Sequence, residues 1–273
     1  MKVSVIIPTY KDDIALKLIL DALQYQTYSN FEILIAEDCE EDSTKNLIKK
    51  YRSKYPIWHY FHENKGNRKP KAVNNCIKKS SGEYIIFIDG DTIPFSTFIE
   101  HHVLLSNPQI GLCGRRVNLG DKVSDDLRKN IINAYTIEKN YIKNYKYLNN
   151  DNIRHYEQGL CFKPKSLINK LLSVFDKNTN IVASNFSCFK NDLIEVNGID
   201  FSLPYAPSRD DTDLQWRLEA IGVKMKSAKY CANLFHLNHP RTDRKEEDIA
   251  NREIIEEKKK SKQIRAKIGI IEC

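Results

Sequence analysis

Tyr84-Ile85-Ile86-Phe87-Ile88-Asp89-Gly90-Asp91 is a run of five apolar residues that stops at two acids held apart by one glycine. An apolar run of this length with β-branched and aromatic residues reads as a strand buried on both faces, the pattern of a parallel sheet covered by helices. Ligands of such sheets bind beyond the carboxyl ends of the strands. Asp89, Gly90 and Asp91 therefore stand where chemistry is expected, and the two acids can reach a divalent metal and sugar hydroxyls together.

Working outward, Val3 to Ile7, Glu32 to Glu37 and Ile57 to His62 repeat the strand pattern. Asp12 to Gln26, Ser43 to Tyr55 and Lys69 to Lys79 carry apolar residues at three- and four-residue spacing, such as Ile14, Leu18 and Ala22. The alternation predicts an α/β fold with a Rossmann-like sheet flanked by helices. After Pro94 it decays into longer helices and isolated strands, roughly Ile110 to Val117, Ile181 to Ser184 and Tyr230 to Phe235. The expected organisation is one domain in two halves, 1–108 and 109–240, followed by a charged helical tail over 241–273. The tail helix is expected from Asp243 to about Lys267, touching the body through Ile249 and Ile254.

The chain has 273 residues, 41% hydrophobic and 29% charged, enough for one large core and unlike a disordered segment. The net charge of +7 is dispersed among acids, apart from Lys258, Lys259, Lys260, Lys262, Arg265 and Lys267. That cluster argues against a nucleic-acid groove and leaves two readings of the tail: a solvated helix packed by one edge, or a surface for peripheral attachment at the inner face of the membrane. No apolar run is long enough to span a bilayer, and a cytoplasmic location is expected. Seven cysteines are scattered, never as CxxC, and read as free thiols, mostly in the core.

Other strand ends are polar too. The first closes on Pro8-Thr9-Tyr10 with Asp12 close behind, and the second on Glu37-Asp38. Asp38 suits a uracil imide or ribose, and Tyr10 the wall of a base pocket. Gly66-Asn67-Arg68-Lys69-Pro70-Lys71-Ala72-Val73-Asn74 is a basic loop entering a helix, and its guanidinium, ammonium and helix-start amides suit a diphosphate.

Taken together, Val3 to Tyr10, Phe31 to Asp38, Lys71-Ala72-Val73-Asn74 and Gly82 to Asp91 resemble glycosyltransferase family 2 of the GT-A fold, with a galactosyltransferase-like C-terminal region in Val182 to Lys190 and Val196 to Asp200. The resemblance implies an inverting, metal-dependent transfer of a hexosyl or N-acetylhexosaminyl group from a nucleotide-sugar, a UDP-sugar, to a hydroxyl of a glycan or lipid-linked saccharide. It assigns Asp38 to the nucleobase and Asp91 to Mn2+ or Mg2+. Pro8, Thr9, Tyr10, Asp12, Arg68, Lys71, Asn74, Asp89 and Gly90 complete the expected nucleotide-sugar site, which makes 1–108 the nucleotide-sugar-binding half and 109–240 the acceptor-binding half of one catalytic domain.

An inverting transfer needs a base for the acceptor hydroxyl, and a carboxylate near the acceptor suits that task. Arg209-Asp210-Asp211-Thr212-Asp213 resembles the family's acidic motif, which makes Asp211 the base and Asp210 its neighbour. The family's Glu is here Asp210, and Tyr205-Ala206-Pro207-Ser208 replaces a glycine-rich lead-in. Asp213 reads as a helix-capping acid. Phe235-His236-Leu237-Asn238-His239 falls where related transferases supply a histidine ligand, and one of His236 and His239 is expected to serve. The alternatives are a non-catalytic nucleotide-sugar or glycan-binding module and a sugar nucleotidyltransferase. The first would be expected to lose Asp91 or Asp211, and the second calls for a glycine-rich basic loop after strand one.

Overall fold

A strand apolar on both faces must be covered on both, and Tyr84–Ile88 is buried at every position. In the computed structural model, which describes residues 1–63, 66, 68–175, 178–204, 209–240 and 245–272, it lies inside a seven-stranded sheet. Asn67, residues 205–208, Asp243 and Cys273 lie outside the described residues.

The first half alternates as its sequence demands: β1 (Val3–Thr9), α1 (Asp13–Leu23), β2 (Phe31–Glu37), α2 (Asp42–Lys49), β3 (Ile57–Phe61), α3 (Lys69–Lys79) and β4 (Tyr84–Ile88). β3, β2, β1 and β4 are parallel neighbours in that order. The period of two along each strand divides the core. Val5, Ile7, Ile33, Ile35 and Ile86 meet Leu16, Ile19 and Leu20 of α1 on one face, while Ile6, Leu34, Ile85 and Phe87 meet Val73 and Ile77 of α3 on the other. The Asp12 carboxylate starts α1 by accepting the Ala15 amide at 3.0 Å.

The second half adds β5 (Thr92–Pro94), α4 (Phe98–Leu105), β6 (Ile110–Cys113), β7 (Val117–Asn118), α5 (Asp121–Arg128), α6 (Ala134–Lys139), α7 (Tyr145–Asn149) and α8 (Leu167–Phe175). It continues with β8 (Asn185–Phe189), α9 (Lys190–Glu195), α10 (Asp210–Ala220), β9 (Lys224–Ser227), β10 (Leu234–His236) and α11 (Lys245–Lys260). β8 runs antiparallel between β4 and β6, and β9 pairs parallel with β6 at the edge. A small sheet of β5, β10 and β7 sets Phe235 and His236 beside the segment that follows Asp91.

Two expectations need correction. The strand placed at Ile181 to Ser184 is instead Asn185–Phe189; Ile181 precedes it and packs in the core beneath α10 with Leu214. The C-terminal tail is also more than a helix resting on one edge. α11 ends at Lys260, Ile249 is exposed, and the contact is made by the buried Asn251, Ile255 and Lys258. Lys258 Nζ reaches Asp213 at 2.5 Å and Asp200 at 2.9 Å, inside a cluster that includes the fully buried Arg217. The chain then returns to the body, where Ile270 joins the core and Arg265 donates to the Glu195 carbonyl. Of the C-terminal basic cluster, Lys258 is thus turned inward, while Arg265 bonds the body from an exposed position. Among the described residues no helix is long and apolar enough to cross a membrane.

Candidate active site

The carboxyl ends of β1, β2 and β4 open on one cleft of about 630 Å³. Pro8, Thr9, Tyr10 and Asp12 come from β1 and the turn after it, Asp38 from β2, Asp89, Gly90 and Asp91 from β4, and Gly66, Lys69 and His239 complete the lining. Glycine is required between the two acids because a Cβ at Gly90 would sit 2.4 Å from the Pro8 carbonyl oxygen. That close approach draws the Asp-Gly-Asp turn against the end of β1.

On the β2 side, the Asp38 carboxylate accepts the backbone amide of Arg68 at 2.9 and 3.0 Å, and His62 Nε2 lies 3.2 Å away. Burial raises its pKa, outweighing the Arg68 hydrogen bond and the His62 charge. Tyr10 is 53% exposed at the cleft, a position from which a ring can stack on a planar ligand. Asp12 lines the cleft but is held by Arg128, which donates to both its oxygens at 2.8 Å.

On the β4 side, Asp91 Oδ2 lies 3.3 Å from Nε2 of His236 and 3.3 Å from Nε2 of His239. Potential ligand atoms of all three residues lie within 4.8 Å of one another. The other Asp91 oxygen is buried and has no hydrogen-bond partner among the described residues. His239 Nδ1 sits 2.9 Å from the Pro240 carbonyl, and donation there leaves Nε2 with a free lone pair. Burial would raise the Asp91 pKa, but the His236 hydrogen bond and the charges of His236, His239 and Arg116 hold it below the ordinary value. One carboxylate and two imidazoles facing a common point fit a divalent transition ion such as Mn2+. Both histidines converge on Asp91, where the sequence pointed to only one.

Lys69 joins this site to the acidic motif. Its Nζ bonds Asp89 Oδ1 at 2.7 Å, and the charges of Asp89, Asp210 and Asp211 raise its pKa against the opposing effect of burial. Asp210 and Asp211 open α10 and share with Lys69 and Asp89 a small inner cavity of about 30 Å³. Asp211 accepts the Ala183 amide at 3.1 Å, and Asp210 accepts the amide of Asp211 at 2.9 Å. Both carboxyls are pushed above the ordinary range, first by burial; for Asp210 the neighbouring Asp211 charge adds to it.

Not every expected residue reaches the cleft. Asn74 is fully buried, and its amide is spent on Ile199, donating to the carbonyl at 2.7 Å and accepting the N–H at 2.9 Å. It ties α3 to the second half. Arg68 takes part through its backbone, and neither Arg68 nor Lys71 is among the cleft-lining residues, where Lys69 stands instead. Asp213 is no simple cap: it is buried between Arg217, Lys258 and Trp216. The sequence reading also passed over Arg116, whose guanidinium charge helps to hold the Asp91 pKa down and opposes the rise that burial imposes on Asp211. No sequence signal set Lys69 apart from its neighbours Arg68 and Lys71, and none marked Arg116.

This sheet, with acids at its strand ends and a second acidic pair on a following helix, is the architecture of a GT-A nucleotide-sugar enzyme. The model of glycosyl transferase family 2 matches residues 4–172, more than half of the chain, which therefore belongs to that family. Curated relatives include the poly(ribitol-phosphate) β-N-acetylglucosaminyltransferase TarS of Staphylococcus aureus, 32% identical over 93 residues, covering 33% of this chain and 16% of that protein. Glycosyltransferase AglE of Haloferax volcanii is 31% identical over 118 residues, covering 42% of this chain and 39% of AglE. The chain thus spans well under half the length of either. Among solved structures, S. aureus TarS overlays 94% of this chain and 39% of its own with TM-score 0.63 at 17% identity. A Pyrobaculum calidifontis mannosyltransferase in complex with GDP-Man and Mn2+ overlays 88% of this chain and 58% of its own with TM-score 0.53 at 14% identity. At these identities the overlays show the shared fold.

Proposed function

We propose that this chain transfers a hexosyl or N-acetylhexosaminyl group, with inversion, from a UDP-sugar to a hydroxyl of a glycan or lipid-linked saccharide in polysaccharide or glycoconjugate synthesis. The observation that carries this reading is the continuity of the two acidic sites: Asp91 stands in the large cleft, Asp211 in the adjoining cavity, and Lys69 and Asp89 line both. A solved structure of TarS residues 1–349 holds UDP-GlcNAc, and its likeness to this chain (TM-score 0.56, 16% identity, 89% of this chain and 60% of that one) supports a uridine donor here.

In this reading Tyr10 stacks on the uracil and Asp38 accepts from its imide or the ribose. Asp91, His236 and His239 would hold a divalent cation, manganese serving best, which when bound neutralises the diphosphate as negative charge grows on it. Lys69 and Arg116 add positive charge on the side of the acidic pair. The Asp211 carboxylate takes the proton from the acceptor hydroxyl as its oxygen attacks the anomeric carbon. The bond from that carbon to the phosphate oxygen breaks on the opposite face, and its electron pair leaves with UDP. A raised Asp211 pKa brings the base closer to neutral pH, where general bases work best.

The test is nucleoside diphosphate release from UDP-, GDP- and dTDP-sugars with manganese present. Release from a UDP-sugar above the others supports the proposal, and release from none of them contradicts it.

A further inference from the structure

A second cleft, of about 570 Å³, adjoins the inner cavity and shares Asp210, Asp211 and Ile181 with it. One wall is a single face of α10, carrying Asp211, Thr212, Gln215, Trp216 and Glu219 at helical spacing. Asp248 and Lys259 of α11 line it too, eleven residues and about three turns apart on one side of that helix. α11 is fixed in place by the buried Lys258 bond to Asp213 of α10 and by Arg209 Nε, which donates to the Asp248 carbonyl at 2.9 Å.

We propose that this cleft binds the acceptor, that the acceptor is an uncharged saccharide, and that the C-terminal helix α11 forms part of its wall. The inference rests on the transferase reading above and adds to it the place and chemistry of the second substrate. Asp211 stands at the end of the cleft nearest the donor, so a hydroxyl entering there meets the base first.

Charge decides the class. Three carboxylates, Asp211, Glu219 and Asp248, line the cleft beside two cations, Arg209 and Lys259; the Asp210 carboxyl, its pKa raised by burial and the Asp211 charge, is not counted with them. Both cations are already engaged, Arg209 with Asp248 and Lys259 with Glu256 at 2.8 Å. A phosphodiester polymer, the acceptor class in the name of TarS, would meet net repulsion here. Sugar hydroxyls donate well to carboxylates. Trp216 is half-buried, and its indole N–H donates to Asp213 at 3.2 Å, which fixes the ring as a platform for the apolar C–H face of a pyranose.

The test uses the full chain with manganese and the UDP-sugar found by the donor screen. Uncharged disaccharides (chitobiose, cellobiose, lactose and maltose) and poly(ribitol phosphate) are offered as acceptors, and UDP release is followed. At least one uncharged saccharide should stimulate release about tenfold over the acceptor-free rate. Trp216→Ala, and Thr212→Arg on the exposed first turn of α10, should raise its KM about tenfold or more while UDP affinity by calorimetry stays within about twofold. Stimulation by poly(ribitol phosphate) alone, by no uncharged saccharide, or an unchanged acceptor KM in both variants would overturn the proposal. If native protein fails to bind UDP at all, the transferase reading itself is wrong, which separates the two failures.

Discussion

The two halves of this molecule build their sites in different ways. In the first, the cleft is made by the ends of adjacent parallel strands, so Tyr10, Asp38 and Asp91 meet because β1, β2 and β4 are neighbours in register. In the second, Asp211 is held by contacts between residues far apart in sequence: Lys69 from α3, the Ala183 amide before β8, and Lys258, which bonds Asp213 from α11. A backbone-built site tolerates much change in its surroundings, whereas a site built from side chains across long separations depends on each partner.

The largest effect that would sharpen this contrast is expected at the metal cluster. Asp91→Ala should lower the transfer rate about a thousandfold or more, as should chelation of the native protein, because charge on the departing diphosphate is then uncompensated. Full turnover in chelator would break the assignment. Next is Lys258→Met, which leaves Asp200 buried without its cation and Asp213 with Arg217 alone. Breaking such a buried pair costs about 3 to 5 kcal/mol, read as a lower midpoint in urea. An unchanged midpoint would mean that the tail does not support α10.

Asn74→Ala should cost about 1 to 3 kcal/mol, since the Ile199 N–H and carbonyl both lose their partner. UDP affinity should hold; a large loss would restore Asn74 to the donor site. The smallest effect concerns pH. The Asp210 carboxyl titrates above its ordinary range, so its ionised form opposes folding, and that cost appears as pH rises from the unfolded pKa through the raised folded one. Asp210→Asn should therefore raise the melting temperature at pH 8 and do so much less at pH 4. Asp200 has the opposite sign: its pKa is held down to about 2, so the stability it supplies is lost as pH falls from about 4 towards 2. Equal shifts for Asp210→Asn at both pH values would contradict the raised titration.

Much of the first half was legible because burial on both sheet faces forces continuous apolar runs, and β1, β2 and β4 stand within two residues of where their patterns place them. β8 was displaced because it hides a polar network. Ser187 and Asn185 are fully buried and bond the two ring nitrogens of His102, so the strand reads as polar while its apolar neighbour Ile181 does not join the sheet. β9, Lys-Met-Lys-Ser at an edge, gave little burial signal to read. At the site, the strand-end acids were visible from their position after apolar runs. Lys69 could not be separated from Arg68 and Lys71 by sequence, because which of three adjacent cations faces Asp89 depends on how α3 is rotated against β4. The structural burden on Asp213 was likewise hidden, since Lys258 and Asp200, which share its cluster, lie 45 and 13 residues away.

The central claim is that Asp211 takes the acceptor proton beside a donor held by the first half. Transfer rate and UDP affinity measured together on Asp211→Asn test it most directly, because the amide keeps the shape of the carboxylate and removes its basicity. The rate should fall about a hundred- to ten-thousand-fold, roughly 3 to 5 kcal/mol of barrier, with UDP affinity unchanged. A variant that transfers sugar at the native rate would contradict the account, as would one whose lost activity is matched by lost UDP binding.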